Sequence, residues 1–226
     1  MAGRSGEQPR DSVHHPVFAR FYARISPRAD ERMGIGAHRA ELLAGLSGRV
    51  IEIGAGNGLN FTRYPDTVSE VVAVEPEPSL RRIARDAALR AGMPVDVVPG
   101  TAEALPVKSE SFDAVVCSLV LCSVREVPRA LAEAHRVLRP GGELRFYEHV
   151  RAPTRGMARV QRVLDATVWP LLCAGCHTSR DTVAEIRAGG FEEVRFRRLR
   201  VPEQGLPQPA SSHVLGRARR PPATAE

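Results

Sequence analysis

Val50-Ile51-Glu52-Ile53-Gly54-Ala55-Gly56-Asn57-Gly58 is an apolar run that passes directly into a glycine-rich turn. Such runs form buried strands of parallel sheets, and glycines after one let the backbone approach a ligand closely. Gly54, Gly56 and Gly58 are followed by Leu59, at the position where a dinucleotide fingerprint has its third glycine. The turn therefore favours a cofactor without a pyrophosphate.

Working outward, Glu75 closes the next β-branched run, Val71 to Val74, about twenty residues on, where a carboxylate can accept both hydroxyls of a ribose. Further strands are expected at Val95 to Val98, Ala114 to Cys117 and Leu144 to Tyr147. Helical stretches are expected at Ser79 to Ala91 and at Val127 to Leu138, the latter stopped by Pro140-Gly141-Gly142. Strands alternating with helices imply α/β architecture with a parallel sheet and helices on both faces. Two N-terminal helices precede the first strand, one carrying Val17, Phe18, Phe21, Tyr22 and Ile25, the other spanning Ala37 to Leu46. After Val150 the pattern gives an amphipathic stretch from Met157 to Cys173, a helix from Arg180 to Ala188, and strands at Glu193 to Leu199 and Ser212 to Gly216. Gly100-Thr101-Ala102-Glu103 after the third strand borders the same carboxyl edge, where open α/β sheets bind ligands.

The 226 residues show no linker, which fits a single domain over 14–217 with loose tails at 1–13 and 218–226. Hydrophobic residues at 43% and charged residues at 26% exclude wholesale disorder and an integral membrane protein. The net charge of +6 comes almost wholly from arginines spread beside acids on helices; the clusters at Arg195 to Arg200 and Arg217 to Arg220 lack the interleaved aromatics of a nucleic-acid platform. No nucleic-acid partner is expected. Met1 to Asp11 is polar, without the apolar core of a secretory signal, so a cytoplasmic location and reduced thiols are expected.

The segment Glu52 to Gly58, the acid Glu75, and Arg136-Val137-Leu138-Arg139-Pro140-Gly141-Gly142 together resemble the class I S-adenosylmethionine-dependent methyltransferases, especially the small-molecule branch with ubiquinone-type and phospholipid-type enzymes. The likeness runs from about Val17 to Gly216. It implies a Rossmann-like seven-stranded sheet, mostly parallel with an antiparallel last strand, and S-adenosyl-L-methionine as cofactor. Asn60-Phe61, Cys117 to Val124, Glu148-His149, and Gly175-Cys176 with Thr178 and Arg180 are similar to the animal thiol S-methyltransferases. The resemblance implies methyl transfer to a small, lipophilic acceptor, a thiol among the candidates; quinones, phospholipids and secondary metabolites remain alternatives, as does a non-catalytic cofactor-binding protein. It assigns the cofactor to Glu52, Gly54, Ala55, Gly56, Gly58, Asn60, Glu75, Pro76, Thr101, Ala102, Glu103, Ser118 and Leu119. Thr101 stands where many members have an aspartate near adenine, so Ala102 backbone is expected to hold that ring.

Methyl transfer from a sulfonium is a direct displacement, so alignment and exclusion of water matter more than a strong base. Glu148 and His149, ending the fifth strand, are the expected catalytic pair, either accepting a proton or orienting the acceptor. Tyr22, Cys122, His177 and Arg180 are the expected substrate contacts. Cys173-Ala174-Gly175-Cys176-His177 spells a haem-attachment pattern, but such attachment belongs to exported proteins. Zinc on Cys117, Cys122, Cys173 and Cys176 is a better alternative, opposed by the apolar strand around Cys117; buried, inert thiols and no metal are the default expectation. Val160, Val163, Leu164, Val168, Trp169, Leu171 and Leu172 form an apolar stripe whose commonest fate is packing on the sheet. With Phe18, Phe21 and Tyr22 it forms, alternatively, a lid over a lipophilic acceptor or a surface for peripheral membrane contact.

Overall fold

Val50 to Ile53 lie in β1 (Gly48–Ile53), which takes β2 (Val68–Val74) on one side and β4 (Phe112–Ser118) on the other, both parallel. The computed structural model describes residues 16–223, apart from the Val17 side chain, so the expected tail 1–13 lies outside the described residues. With β3 (Val95–Val98), β5 (Leu138–His149), β6 (Glu192–Arg200) and β7 (Ser212–Arg219), these strands make one seven-stranded sheet of order β3-β2-β1-β4-β5-β7-β6. Strand β7 is antiparallel to both β5 and β6. The strand order reverses between β1 and β4, and a ligand crevice opens at the carboxyl ends of strands flanking such a switch.

Alternation along the strands divides the core into two layers. Ile51, Ile53, Val115, Cys117, Leu144 and Phe146 meet α4 (Val127–Val137) and α7 (Thr182–Ala188) through Leu131, Val137, Val183 and Ile186. Val50, Val71, Ala73, Ala114, Val116 and Tyr147 face the other way, toward Leu42 and Leu43 of α2 (Ile35–Leu43) and Ala84 of α3 (Pro78–Ala88). Before α2 runs α1 (Pro16–Arg32).

Three expectations are corrected. The stretch from Met157 to Cys173 is split into α5 (Arg155–Asp165) and α6 (Trp169–Leu172). Pro170 has no N–H to carry a continuous helix across this point, and both Asp165 oxygens are taken by the backbone and hydroxyls of Thr178 and Ser179, which ties the end of α5 to the next segment. The stripe does not pack on the sheet: Val163 is 58% exposed and Leu171 84% exposed. Finally, β7 continues to Arg219, with Leu144 opposite a buried Ala218, so 218–219 belong to the sheet and not to a loose end. None of the helices among the described residues is long and apolar enough to cross a membrane.

Candidate active site

The loop after β1 turns three times through left-handed backbone, with φ of 69° at Gly54, 59° at Gly56 and 78° at Gly58. The three glycines are required for different reasons. A Cβ on Gly54 would lie 2.4 Å from the Val120 side chain, and one on Gly58 would lie 2.7 Å from the Phe61 ring. These two let the loop pack against its own protein. At Gly56 a Cβ would meet only the Tyr22 ring, at 3.5 Å, so this is where the loop presents bare backbone beneath α1. Tyr22 also stacks on Phe18, with ring centroids 5.7 Å apart.

Glu75, at the end of β2, is 4% exposed and folds back onto the loop. One oxygen accepts the Gly56 N–H at 2.7 Å and the other the Glu77 N–H at 2.9 Å. Burial outweighs these donors and lifts its pKa to about 7. Each oxygen keeps a lone pair for a ribose hydroxyl, so loop and carboxylate fit the adenosine half of S-adenosylmethionine. Pro76 is half-buried and its carbonyl accepts from Arg81. Thr101 and Ala104 close a small turn with Ala102 buried inside it. The Glu103 carboxylate accepts the N–H of Arg125 at 3.0 Å, at the entry to α4.

Beneath the loop lies a polar network that sequence reasoning saw only in part. Glu52 is buried, accepting from Asn60 Nδ2 at 2.8 Å and from the Tyr64 hydroxyl at 2.8 Å. Asn60 Oδ1 accepts from Arg39 at 3.0 Å, Ser118 Oγ accepts from Arg39 at 2.9 Å, and Asp30 from Arg39 Nε at 2.7 Å. Glu52, Asn60 and Ser118 thus brace the loop from below. Arg39 and Asp30 were missed because a lone arginine among the charges of an amphipathic helix looks solvated; a buried partner in another element leaves no local pattern.

The carboxyl ends of β4 and β5 meet in a turn of unusual backbone. Leu119 adopts φ 59°, a conformation rare for a residue with a side chain, and its N–H bonds the Tyr147 carbonyl at 2.7 Å. Glu148, with no exposed surface, then accepts three consecutive amides, from Val120 at 3.1 Å, Leu121 at 3.0 Å and Cys122 at 3.2 Å. Its pKa rises to about 7 because burial outweighs those donors. A carboxylate so enclosed holds the turn. His149 is half-buried, and its Nδ1 lies 3.5 Å from Cys122 Sγ and 3.7 Å from Cys176 Sγ.

The segment after α6 closes over this turn, the His177 N–H bonding the Cys122 carbonyl at 2.7 Å. Arg180 donates to the Leu121 carbonyl, and His177 Nδ1 donates to Gly175 O at 2.7 Å. Both side chains, expected as substrate contacts, also fasten the segment. Cys117 sits inside β4, and Cys173 is half-buried at the end of α6.

A strand order of β3-β2-β1-β4-β5-β7-β6, a glycine turn at the switch point and an acid at the end of β2 define a Rossmann-like S-adenosylmethionine-dependent methyltransferase. Residues 51–146 match the methyltransferase domain family. The chain is 35% identical over 221 residues to the mouse (Mus musculus) protein named thiol S-methyltransferase TMT1B, covering 93% of this chain and 88% of that one. The human (Homo sapiens) protein of that name is 32% identical, covering 89% of this chain and 85% of its own. A crystal structure of a methyltransferase from Thermotoga maritima superimposes with a TM-score of 0.66 at 26% identity, over 90% of this chain and 98% of that one. The chain belongs to the family of these S-adenosylmethionine-dependent methyltransferases, with the thiol S-methyltransferases among its relatives.

Proposed function

We propose that the enzyme methylates the sulfur of a small, lipophilic thiol at the carboxyl ends of β4 and β5. The observation that carries this reading is the chemistry left at that turn. Glu148 is enclosed by three amides, and the atoms beside it are an imidazole nitrogen and two sulfurs. An alcohol acceptor needs a well-placed base, whereas a thiol, with an unperturbed pKa of about 8.5, needs only modest help to ionise. The mouse and human relatives, both named thiol S-methyltransferases, support a thiol acceptor.

S-adenosylmethionine supplies an electrophilic methyl group. On the protein side, Glu75 receives the ribose hydroxyls, Gly56 and Ala55 pass the cofactor along bare backbone, and the turn at Thr101 and Ala102 holds the adenine. Leu119 and the Glu148-braced turn set the floor, Tyr22 covers Gly56, and Cys122 borders the acceptor. The residues align sulfur with methyl and exclude water, which is most of what a direct displacement asks of a protein. A reducing, cytoplasmic setting fits the four free cysteines.

The test is calorimetry with S-adenosylhomocysteine, followed on the same preparation by turnover on thiols, phenols, quinols and amines. Binding with turnover on thiols is expected. Binding with turnover only on another acceptor discards the thiol, and folded protein without cofactor affinity discards the site.

A further inference from the structure

Cys122, His149 and Cys176 come from three separate parts of the chain: the turn after β4, the end of β5 and the segment after α6. Their Sγ, Nδ1 and Sγ atoms all lie within 4.8 Å of one another, with His149 Nδ1 at 3.5 Å and 3.7 Å from the two sulfurs. Zinc bonds of about 2.3 Å to sulfur and about 2.0–2.1 Å to nitrogen, at tetrahedral angles, give nitrogen-to-sulfur edges of roughly 3.5 Å. The two observed nitrogen-to-sulfur separations, 3.5 Å and 3.7 Å, match those edges.

The cluster is built, not accidental. Three amides on Glu148 fix the backbone that carries Cys122, and the His177 N–H on the Cys122 carbonyl brings Cys176 alongside. Gly175, at φ 84°, lets that segment approach closely, since a Cβ there would lie 3.1 Å from the Ser123 carbonyl. Cys122 and Cys176 are 1% and 7% exposed, and the His213 ring packs against His149 with centroids 4.5 Å apart. The buried Trp169 indole N–H has no hydrogen-bond partner among the described residues.

We propose that Cys122, His149 and Cys176 bind a zinc ion whose fourth position is open to an exogenous thiol. Two thiolates and an imidazole suit zinc, and three protein ligands with one open position mark zinc sites that take up a reactant. Among the described residues the cluster holds three such groups and no fourth. This proposal departs from the default expectation of inert thiols and no metal. The open position rests on the thiol reading above: an incoming thiol releases its proton to solvent as the sulfur–zinc bond forms. The bound thiolate then forms the new carbon–sulfur bond as the methyl–sulfonium bond breaks, leaving S-adenosylhomocysteine.

The experiment loads metal-free full-length protein with Co2+, whose thiolate charge-transfer and visible bands report tetrahedral sulfur ligation, with S-adenosylhomocysteine binding measured in parallel. One Co2+ per chain is expected, with affinity reduced at least about 100-fold in Cys122→Ser and Cys176→Ser, beyond what outer partners of a metal contribute. Cys173→Ser should retain the spectrum, and a small thiol should shift it. Wild-type protein that binds S-adenosylhomocysteine but gives no thiolate–cobalt bands, or that carries a Cys122–Cys176 disulfide under reducing purification, overturns the metal site while leaving the methyltransferase intact. Loss of the bands in Cys173→Ser, or a spectrum indifferent to thiol, overturns the open position. Absence of S-adenosylhomocysteine binding in folded protein counts against the underlying thiol-methyltransferase reading instead.

Discussion

Arg39 is the residue on which the site's geometry depends most. It is 5% exposed and joins Asp30 of α1, Asn60 of the loop and Ser118 at the end of β4. Removing one partner of a buried pair leaves the other charge uncompensated, at about 3–5 kcal/mol. Arg39→Met is therefore expected to lower unfolding free energy by somewhat less than that full amount, because among the described residues Asp30 keeps its ion pair with Arg63. Urea denaturation measures it; a change below about 1 kcal/mol means that Asp30 is satisfied without Arg39. Glu75→Ala tests the cofactor contact separately. It removes the acceptor proposed for the ribose, and S-adenosylhomocysteine affinity should fall by about 1.5–3 kcal/mol per charge-assisted bond lost. Unchanged affinity in calorimetry moves the ribose to another partner.

At the scale of elements, the glycine loop and the turn after β4 touch where Gly54 meets Val120. The two turns are one mechanical unit, since Val120 is also held through its N–H by Glu148. Gly54→Ala places a methyl 2.4 Å from Val120 Cγ2 at a φ of 69° and is expected to abolish S-adenosylhomocysteine binding. Adding Val120→Ala removes the collision but not the backbone strain, so affinity should recover in part, with a coupling of about 0.5–3 kcal/mol. Strictly additive effects in a double-mutant cycle mean that the loops are independent. The elements also show what the sequence makes legible. β1, the glycine turn and Glu75 stand out because strand period, turn chemistry and a carboxylate fall within one local stretch. The break between α5 and α6 does not: apolar periodicity runs through it, and Asp165 is satisfied only by Thr178 and Ser179, which lie beyond the expected helix. Likewise Glu148 looks like a free acid at a strand end until the following turn of β4 is seen folded over it. The zinc-like cluster stayed hidden because His149 lies far along the chain from either cysteine, while Cys173 and Cys176 draw attention to each other.

For the whole molecule, proton uptake links folding to cofactor binding through Glu75. Its pKa of about 7 in the fold is above the ordinary glutamate value of 4.5, so the native state binds more protons than the unfolded chain between those values. The stability this proton confers is present below pH 4.5 and is lost as pH rises through 7. From the printed shift the loss is about 3 kcal/mol at most. His213 acts in the opposite sense: burial lowers its pKa to about 3, so the stability it forfeits is lost as pH falls below about 6.5. The window from 6.5 to 8 therefore lies above the His213 contribution; Glu148, also raised to about 7, titrates in it with the same sign, so the Glu75 share is the difference between wild type and a Glu75 variant that cannot titrate. The Arg81 side chain favours ionised Glu75 and the neighbouring Glu77 opposes it. Across this window the free protein should lose thermal stability as pH rises, while S-adenosylhomocysteine binds more tightly, because the ionised carboxylate accepts both ribose hydroxyls. Glu75→Gln cannot titrate, so the difference between wild type and Glu75→Gln should carry the slope in both measurements. Parallel curves for the two proteins, in melting temperature and in calorimetric affinity alike, would place the titrating group elsewhere and separate Glu75 from the ribose.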